Sequence, residues 1–136
     1  MEAKIEENIF MARLSEQNER YNDMVDFLKI VMEEKGLDMS VDERNLLGVA
    51  FKCVVASYRT TWRTIVSVES NPKYLLFSQS ITEFRKKIED GLSKECTKII
   101  DNITKHCLKK NNGTDETKAF FLKIVGDNYR YIAEMS

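Results

Sequence analysis

Three basic residues, Lys52, Arg59 and Arg63, stand at i, i+7 and i+11 in a stretch that reads as helix. At about 100° per residue they fall within roughly 40° of one another, on a single stripe. No acidic residue lies between Arg44 and Val68. Arg59 and Arg63 are four apart, a spacing at which like charges on a helix repel by a few tenths of a kcal/mol. A local cost without local compensation points to an anion supplied from elsewhere. Further along, Lys123, Asp127 and Arg130 stand at i, i+4 and i+7, with Tyr131 beside them. Arg offers a planar fork of donors, Lys a point charge and Tyr a hydroxyl, and together they could clamp the oxygens of a phosphate monoester dianion. The same residues allow a plainer arrangement. Asp127 or Glu134 could neutralise Arg59 or Arg130 in a salt bridge between helices, because a half-buried Arg usually has a carboxylate partner. Spacing alone favours the bridge.

Other chemistry finds little support. His106 is the single histidine, so a metal centre or histidine-based catalysis lacks partners. It reads as a residue at the end of a helix, favoured by the dipole there. Trp62 and Phe51 read as core aromatics. No glycine-rich phosphate loop, G-x-S-x-G or H-E-x-x-H is present. Neither a catalytic residue nor a cofactor nor a metal is expected. Cys53, Cys96 and Cys107 have no C-x-x-C spacing. Cys96 and Cys107 share one helix in this reading, roughly 16 Å apart along its axis, too far for a disulfide. Scattered thiols in odd number fit a reducing, cytoplasmic compartment.

The elements that must position these residues are helices. One Pro and five Gly in 136 residues let helices run long, and the length suits one domain. Lys and Arg number 21 against 22 Asp and Glu, which argues against a nucleic-acid binder. No apolar run approaches the roughly 18 residues of a membrane span, and the start lacks an apolar signal segment. The first helix is expected over about 5–17 and the second over about 19–35, with Gly36 just past its end. Ser40 and Glu43 have the spacing of a capping box for a third helix reaching about Ser70. Asn71-Pro72 ends it and opens a fourth, reaching about Lys109, with Asn71 as N-cap. Asn111-Asn112-Gly113 reads as a turn, and Thr114 then caps a fifth helix that begins with Asp115 and Glu116. The third and fourth helices lack a sustained heptad seam, and the chain has no internal repeat. The expectation is an all-α antiparallel bundle of about five helices.

Ser40 to Leu47 (SVDERNLL), Val49 to Lys52 (VAFK) and Tyr58 to Arg63 (YRTTWR) closely resemble the strongest signature of 14-3-3 proteins. Leu14 to Tyr21, Asp23 to Val25, Phe84 to Glu89, Phe120 to Lys123 and Gly126 to Glu134 resemble the same family. The similarity covers nearly the whole chain. It implies a dimeric adaptor, without catalytic activity, that binds phosphoserine or phosphothreonine segments of partner proteins. By position, the resemblance makes Lys52, Arg59, Arg130 and Tyr131 the phosphate-binding pocket, with Arg63 and Lys123 as auxiliary groove residues. It reverses the preference for the salt bridge, although Asp127 and Glu134 could still orient the arginines.

The resemblance also implies a homo- or heterodimer formed by the first four helices. Leu14, Thr61, Ile65, Val68 and Phe84 match interface positions, Asp23 and Lys87 match a cross-subunit ion pair, and Arg20 matches an interface arginine. Gly91 stands where the family often has glutamate, so one ion pair is expected to be missing and Gly91→Glu to restore it. The family usually has nine helices, and residues 1–136 correspond to the N-terminal five. Two functions follow: a phosphopeptide-binding adaptor, or a helical dimerisation fragment that no longer binds phosphopeptides because half its groove is missing. Ile103, Phe121, Ile124 and Ile132 are expected to lie partly exposed for the same reason.

Overall fold

The computed structural model describes residues 2–109 and 113–135. They form five α-helices and no strand: α1 (Glu2–Gln17), α2 (Tyr21–Lys35), α3 (Val41–Glu69), α4 (Ser78–Ile103) and α5 (Asp115–Glu134). Asn111 and Asn112 of the expected turn lie outside the described residues.

Each helix end has a local cause. Asn18 and Arg20 turn the chain back onto the end of α1: the Asn18 amide donates to Leu14 O and Arg20 N–H to Ser15 O. Between them Glu19 takes a positive φ of 55°, so α2 starts two residues later than the sequence pattern suggests. Gly36, with φ 51°, donates its N–H to Met32 O and opens a short 3₁₀ turn, Gly36–Asp38. The positive φ costs glycine little. At the start of α3 the capping box is complete: Glu43 N–H donates to Ser40 Oγ (3.1 Å) and Ser40 N–H to Glu43 Oε1 (2.7 Å). Lys35 Nζ reaches the same Glu43 oxygen at 2.7 Å and ties α2 to α3. Thr114 accepts from Thr117 N–H and caps α5 in the same manner.

The fourth helix differs from expectation at both ends. Asn71 Oδ1 does accept from Lys73 N–H (3.0 Å), but the next residues form a 3₁₀ segment, Pro72–Phe77, with Tyr74 outside helical geometry. None of these six residues is buried, so no packed face holds them in α-helical register. At the other end, Thr104–Leu108 widen into a π turn, closed by Lys109 N–H on Thr104 O.

Consecutive helices run antiparallel. Lys4 at the start of α1 meets Glu34 at the end of α2, and Arg85 near the start of α4 meets Glu69 at the end of α3. Alternate helices are therefore parallel, and side chains of α5 reach those of α3. Arg44 Nη1 donates to Thr117 Oγ1 at one end of that pair, and Arg59 meets Glu134 at the other. The core is built from Met24, Leu28, Val31 and Met32 of α2, Leu47, Phe51 and Val55 of α3, Leu92, Cys96 and Ile103 of α4, and Phe121 of α5. Ile103 and Phe121 are fully buried, against the expectation that both would be partly exposed. They face the chain's own helices, while Leu122 and Tyr129 take the outer face of α5. Ile124 and Ile132 are half-buried. None of Cys53, Cys96 and Cys107 forms a disulfide. Among the described residues, no helix is long and apolar enough to cross a membrane.

Candidate functional site

A groove of about 440 Å³ runs between α3 and α5. From α3 it takes Gly48, Phe51 and Lys52, at i, i+3 and i+4 on one face. From α5 it takes Phe120, Lys123, Ile124, Asp127, Asn128, Arg130 and Tyr131. Phe51, Phe120 and Ile124 make the floor apolar, and a Cβ on Gly48 would stand 3.3 Å from Phe120 Cζ. Glycine at 48 thus lets α5 approach while keeping the floor open. The cationic groups line the rim: Lys52, Lys123 and Arg130 are all exposed.

Arg59 lies at the end of this groove and does not line it. Its guanidinium carbon sits 4.0 Å from the centre of the Tyr131 ring, and that of Arg130 sits 5.1 Å from the same centre. Arg59 Nη2 is 3.3 Å from Glu134 Oε2, and Arg130 Nη1 is 3.9 Å from Glu134 Oε1. Asp127 binds Lys123 at 2.8 Å and Arg130 at 3.4 Å. Lys123 holds the Asp127 carboxyl below its ordinary value, mainly by that hydrogen bond, and the same bond raises the Lys123 ammonium. The salt bridge between helices that the sequence allowed is therefore present, in Arg59 of α3 with Glu134 of α5. The basic residues converge from two helices, and Glu134 bridges the two arginines. Arg59 Nε is buried with no hydrogen-bond partner. Arg63 is exposed on α3 and is not among the groove-lining residues.

Gly48, Phe120 and Asn128 were not singled out from the sequence. Gly48 is four residues before Lys52 and Phe120 three before Lys123, so helical periodicity around the basic residues could have found both. Arg44 was also missed. It is buried, contacts Thr117 and the exposed Glu116, and lies over Phe120, with 5.5 Å from its guanidinium carbon to the ring centre. Nothing in its spacing marks it. It fixes the start of α5 against α3 and so sets the register of the groove.

Trp62 is half-buried, not core, and its indole N–H donates to Glu89 Oε2 at 2.9 Å. His106 falls within the π turn and lies 3.8 Å from Glu33. Burial pushes the Cys96 thiol up to about 11, against the pull of the Arg59 charge, so it is not a reactive thiolate. Among the described residues, no group of three or more His, Cys, Asp or Glu could hold a metal.

A family model described as "14-3-3 protein" matches residues 11–136. The chain belongs to the 14-3-3 family. It is 43% identical over 135 residues to a 14-3-3-like protein of Solanum tuberosum, covering 95% of this chain and 51% of that protein. It is 42% identical over 134 residues to 14-3-3 protein 2 of Entamoeba histolytica, covering 96% and 56%. Against 14-3-3-like protein GF14 epsilon of Arabidopsis thaliana the identity is 37% over 139 residues, covering 100% and 54%. The chain spans about half the length of the curated relatives it matches.

The residues expected at a 14-3-3 dimer interface occupy mixed environments in the single chain. Leu14 and Phe84 are exposed, as are Arg20 and Lys87, whereas Thr61, Val68 and Asp23 are half-buried. Ile65 is 7% exposed and already belongs to the chain's own interior. Asp23 pairs with Arg20 three residues before it. Gly91 has a neighbour that the sequence did not reveal. A Cβ there would come within 2.6 Å of Tyr58 Cε1, so Gly91 makes room for the Tyr58 ring. Gly91→Glu would need that ring to shift.

Proposed function

We propose that this 14-3-3 chain is a non-catalytic adaptor of a reducing, cytoplasmic compartment that binds phosphoserine or phosphothreonine segments of partner proteins. The observation that supports this is the convergence of Arg59 with Arg130 and Tyr131 across two helices, beside a groove rimmed by Lys52 and Lys123. Lys52, Arg59, Arg130 and Tyr131 hold the phosphoryl oxygens in this reading. Lys123 and, further out on α3, Arg63 attract the acidic ligand. The floor of Phe51, Phe120 and Ile124 offers an apolar surface to the flanking peptide. An extended segment lies along the groove and its phosphate meets the two arginines at the end. Titration of a fluorescent phosphoserine peptide and its unphosphorylated twin tests the reading. Saturable binding of the phosphorylated form with at least a tenfold preference supports it; equal binding of the two refutes it.

A second reading has its own observation. Phe10 and Leu14 of α1 and Leu75, Leu76, Phe77 and Phe84 around the start of α4 are large apolar side chains exposed in the single chain. They suit a homo- or heterodimer with another 14-3-3 chain. A chain that dimerises but does not distinguish the two peptides acts as a dimerisation module alone.

A further inference from the structure

We infer that the ring of Tyr131 is a positioning platform that holds both arginines of the clamp in place before a ligand arrives. This rests on the phosphate-binding reading and adds a role to the hydroxyl contact expected of Tyr131. Arg59 comes from α3 and Arg130 from α5, yet both guanidinium carbons lie over the one ring, at 4.0 and 5.1 Å from its centre. Two like charges brought this near repel, and each arginine side chain has many rotamers to lose. Something must oppose both effects in the empty site. The negative face of an aromatic ring attracts cations within about 6 Å of its centre, and both arginines fall inside that range. Glu134, one helical turn beyond Arg130, supplies counter-charge to both through contacts of 3.3 and 3.9 Å, and Asp127 adds one to Arg130 at 3.4 Å.

The ring itself is well fixed. Tyr131 is half-buried and packs against the apolar core. Arg59 is held further by its surroundings, with its side chain only 20% exposed, whereas that of Arg130 is 59% exposed. The ring therefore matters most for Arg130, the freer of the two. A phosphate meeting the two arginines finds both already held at one ring, and less ordering remains to be done on binding. The platform action needs the ring face and not the hydroxyl, which separates it from a direct hydrogen bond to the ligand.

Three proteins test this: the parent chain, Tyr131→Leu and Tyr131→Phe. Each is titrated with the phosphoserine peptide and its unphosphorylated twin over a range of salt concentrations. Leucine keeps apolar bulk but has no ring face. It should weaken phosphopeptide binding by about tenfold and flatten its salt dependence, because fewer charged contacts form. Phenylalanine restores the ring without the hydroxyl, and should recover most of the loss and the parent's salt dependence. A general loss of packing would not change the salt dependence in this pattern. If Tyr131→Phe binds as poorly as Tyr131→Leu, the hydroxyl is what matters and the platform is refuted. Unchanged affinity in Tyr131→Leu refutes it as well. Failure of the parent chain to prefer the phosphorylated peptide is a different result, and removes the phosphate-binding reading together with this one.

Discussion

Arg59 forms a bridge to Glu134, and the proposed function adds a clamp to it. It touches Glu134 at 3.3 Å and stacks over Tyr131, so its guanidinium is oriented before any ligand is present. Hydrogen bonds from a charged donor contribute about 1.5–3 kcal/mol each. Arg59→Ala or Arg130→Ala should accordingly weaken phosphopeptide binding at least tenfold, measured by calorimetry at fixed salt. Normal binding by both variants would remove the clamp assignment. Gly91 gives a second test at this scale. Alanine is favoured over glycine inside a helix by about 1 kcal/mol. At position 91, however, the new Cβ would meet Tyr58 at 2.6 Å. Gly91→Ala should therefore fail to stabilise the parent chain and should stabilise a Tyr58→Ala background by about 1 kcal/mol in urea unfolding. Equal effects in the two backgrounds would show that the ring moves aside freely.

The capping box shows how an element boundary can depend on pH. Burial pushes the Glu43 carboxyl up, but the Lys35 ammonium and the Ser40 N–H outweigh it and hold it below the ordinary 4.5. A carboxyl with a depressed value in the folded state lends stability that is whole above its unfolded value. That stability is lost as pH falls through the folded value. Glu43→Gln resembles the protonated side chain, so it should be about 1 kcal/mol less stable than the parent near pH 7. The gap should close as the pH is taken below the folded-state value, which lies under the ordinary 4.5. Urea unfolding at several pH values measures it, and a gap independent of pH would rule out the charge as its source. The same box starts α3 at Val41 and thereby sets which face Lys52 and Arg59 occupy eleven and eighteen residues later.

At the scale of the whole molecule, the chain uses two faces for different ends. Lys52 and the α5 residues rim a groove with an apolar floor on one side of α3, while Ile65 packs inward further along the same helix. Because Ile65 is already buried within the chain, changing it would disturb folding as well as association. Leu14 and Phe84 are 41% and 48% exposed and so are the better probes of a dimer. The double variant Leu14→Gln with Phe84→Gln should be monomeric by light scattering and should keep the parent's thermal midpoint within a few degrees. A variant that remains dimeric would place the interface elsewhere. Its phosphopeptide affinity should follow the parent's, since neither residue lies at the groove.

The sequence by itself determined the helices, because helical period, capping and chain breaking are local properties. Ser40 with Glu43, Thr114, and Gly36 each act over a few residues, and each acts in the fold as its type and spacing require. The stripe of Lys52, Arg59 and Arg63 was legible for the same reason. Where local signals conflicted with packing, the sequence fell short. Pro72 to Phe77 read as a first helical turn but has no buried face to keep it one. Distances between helices were not legible at all. The tertiary structure alone decided that α5 lies parallel to α3, that Arg44 fixes its start, and that Gly91 yields to Tyr58. It also decided that one aromatic ring underlies two arginines 71 positions apart in the chain. Those contacts join residues far apart in sequence, and only the packing of whole helices brings them within reach.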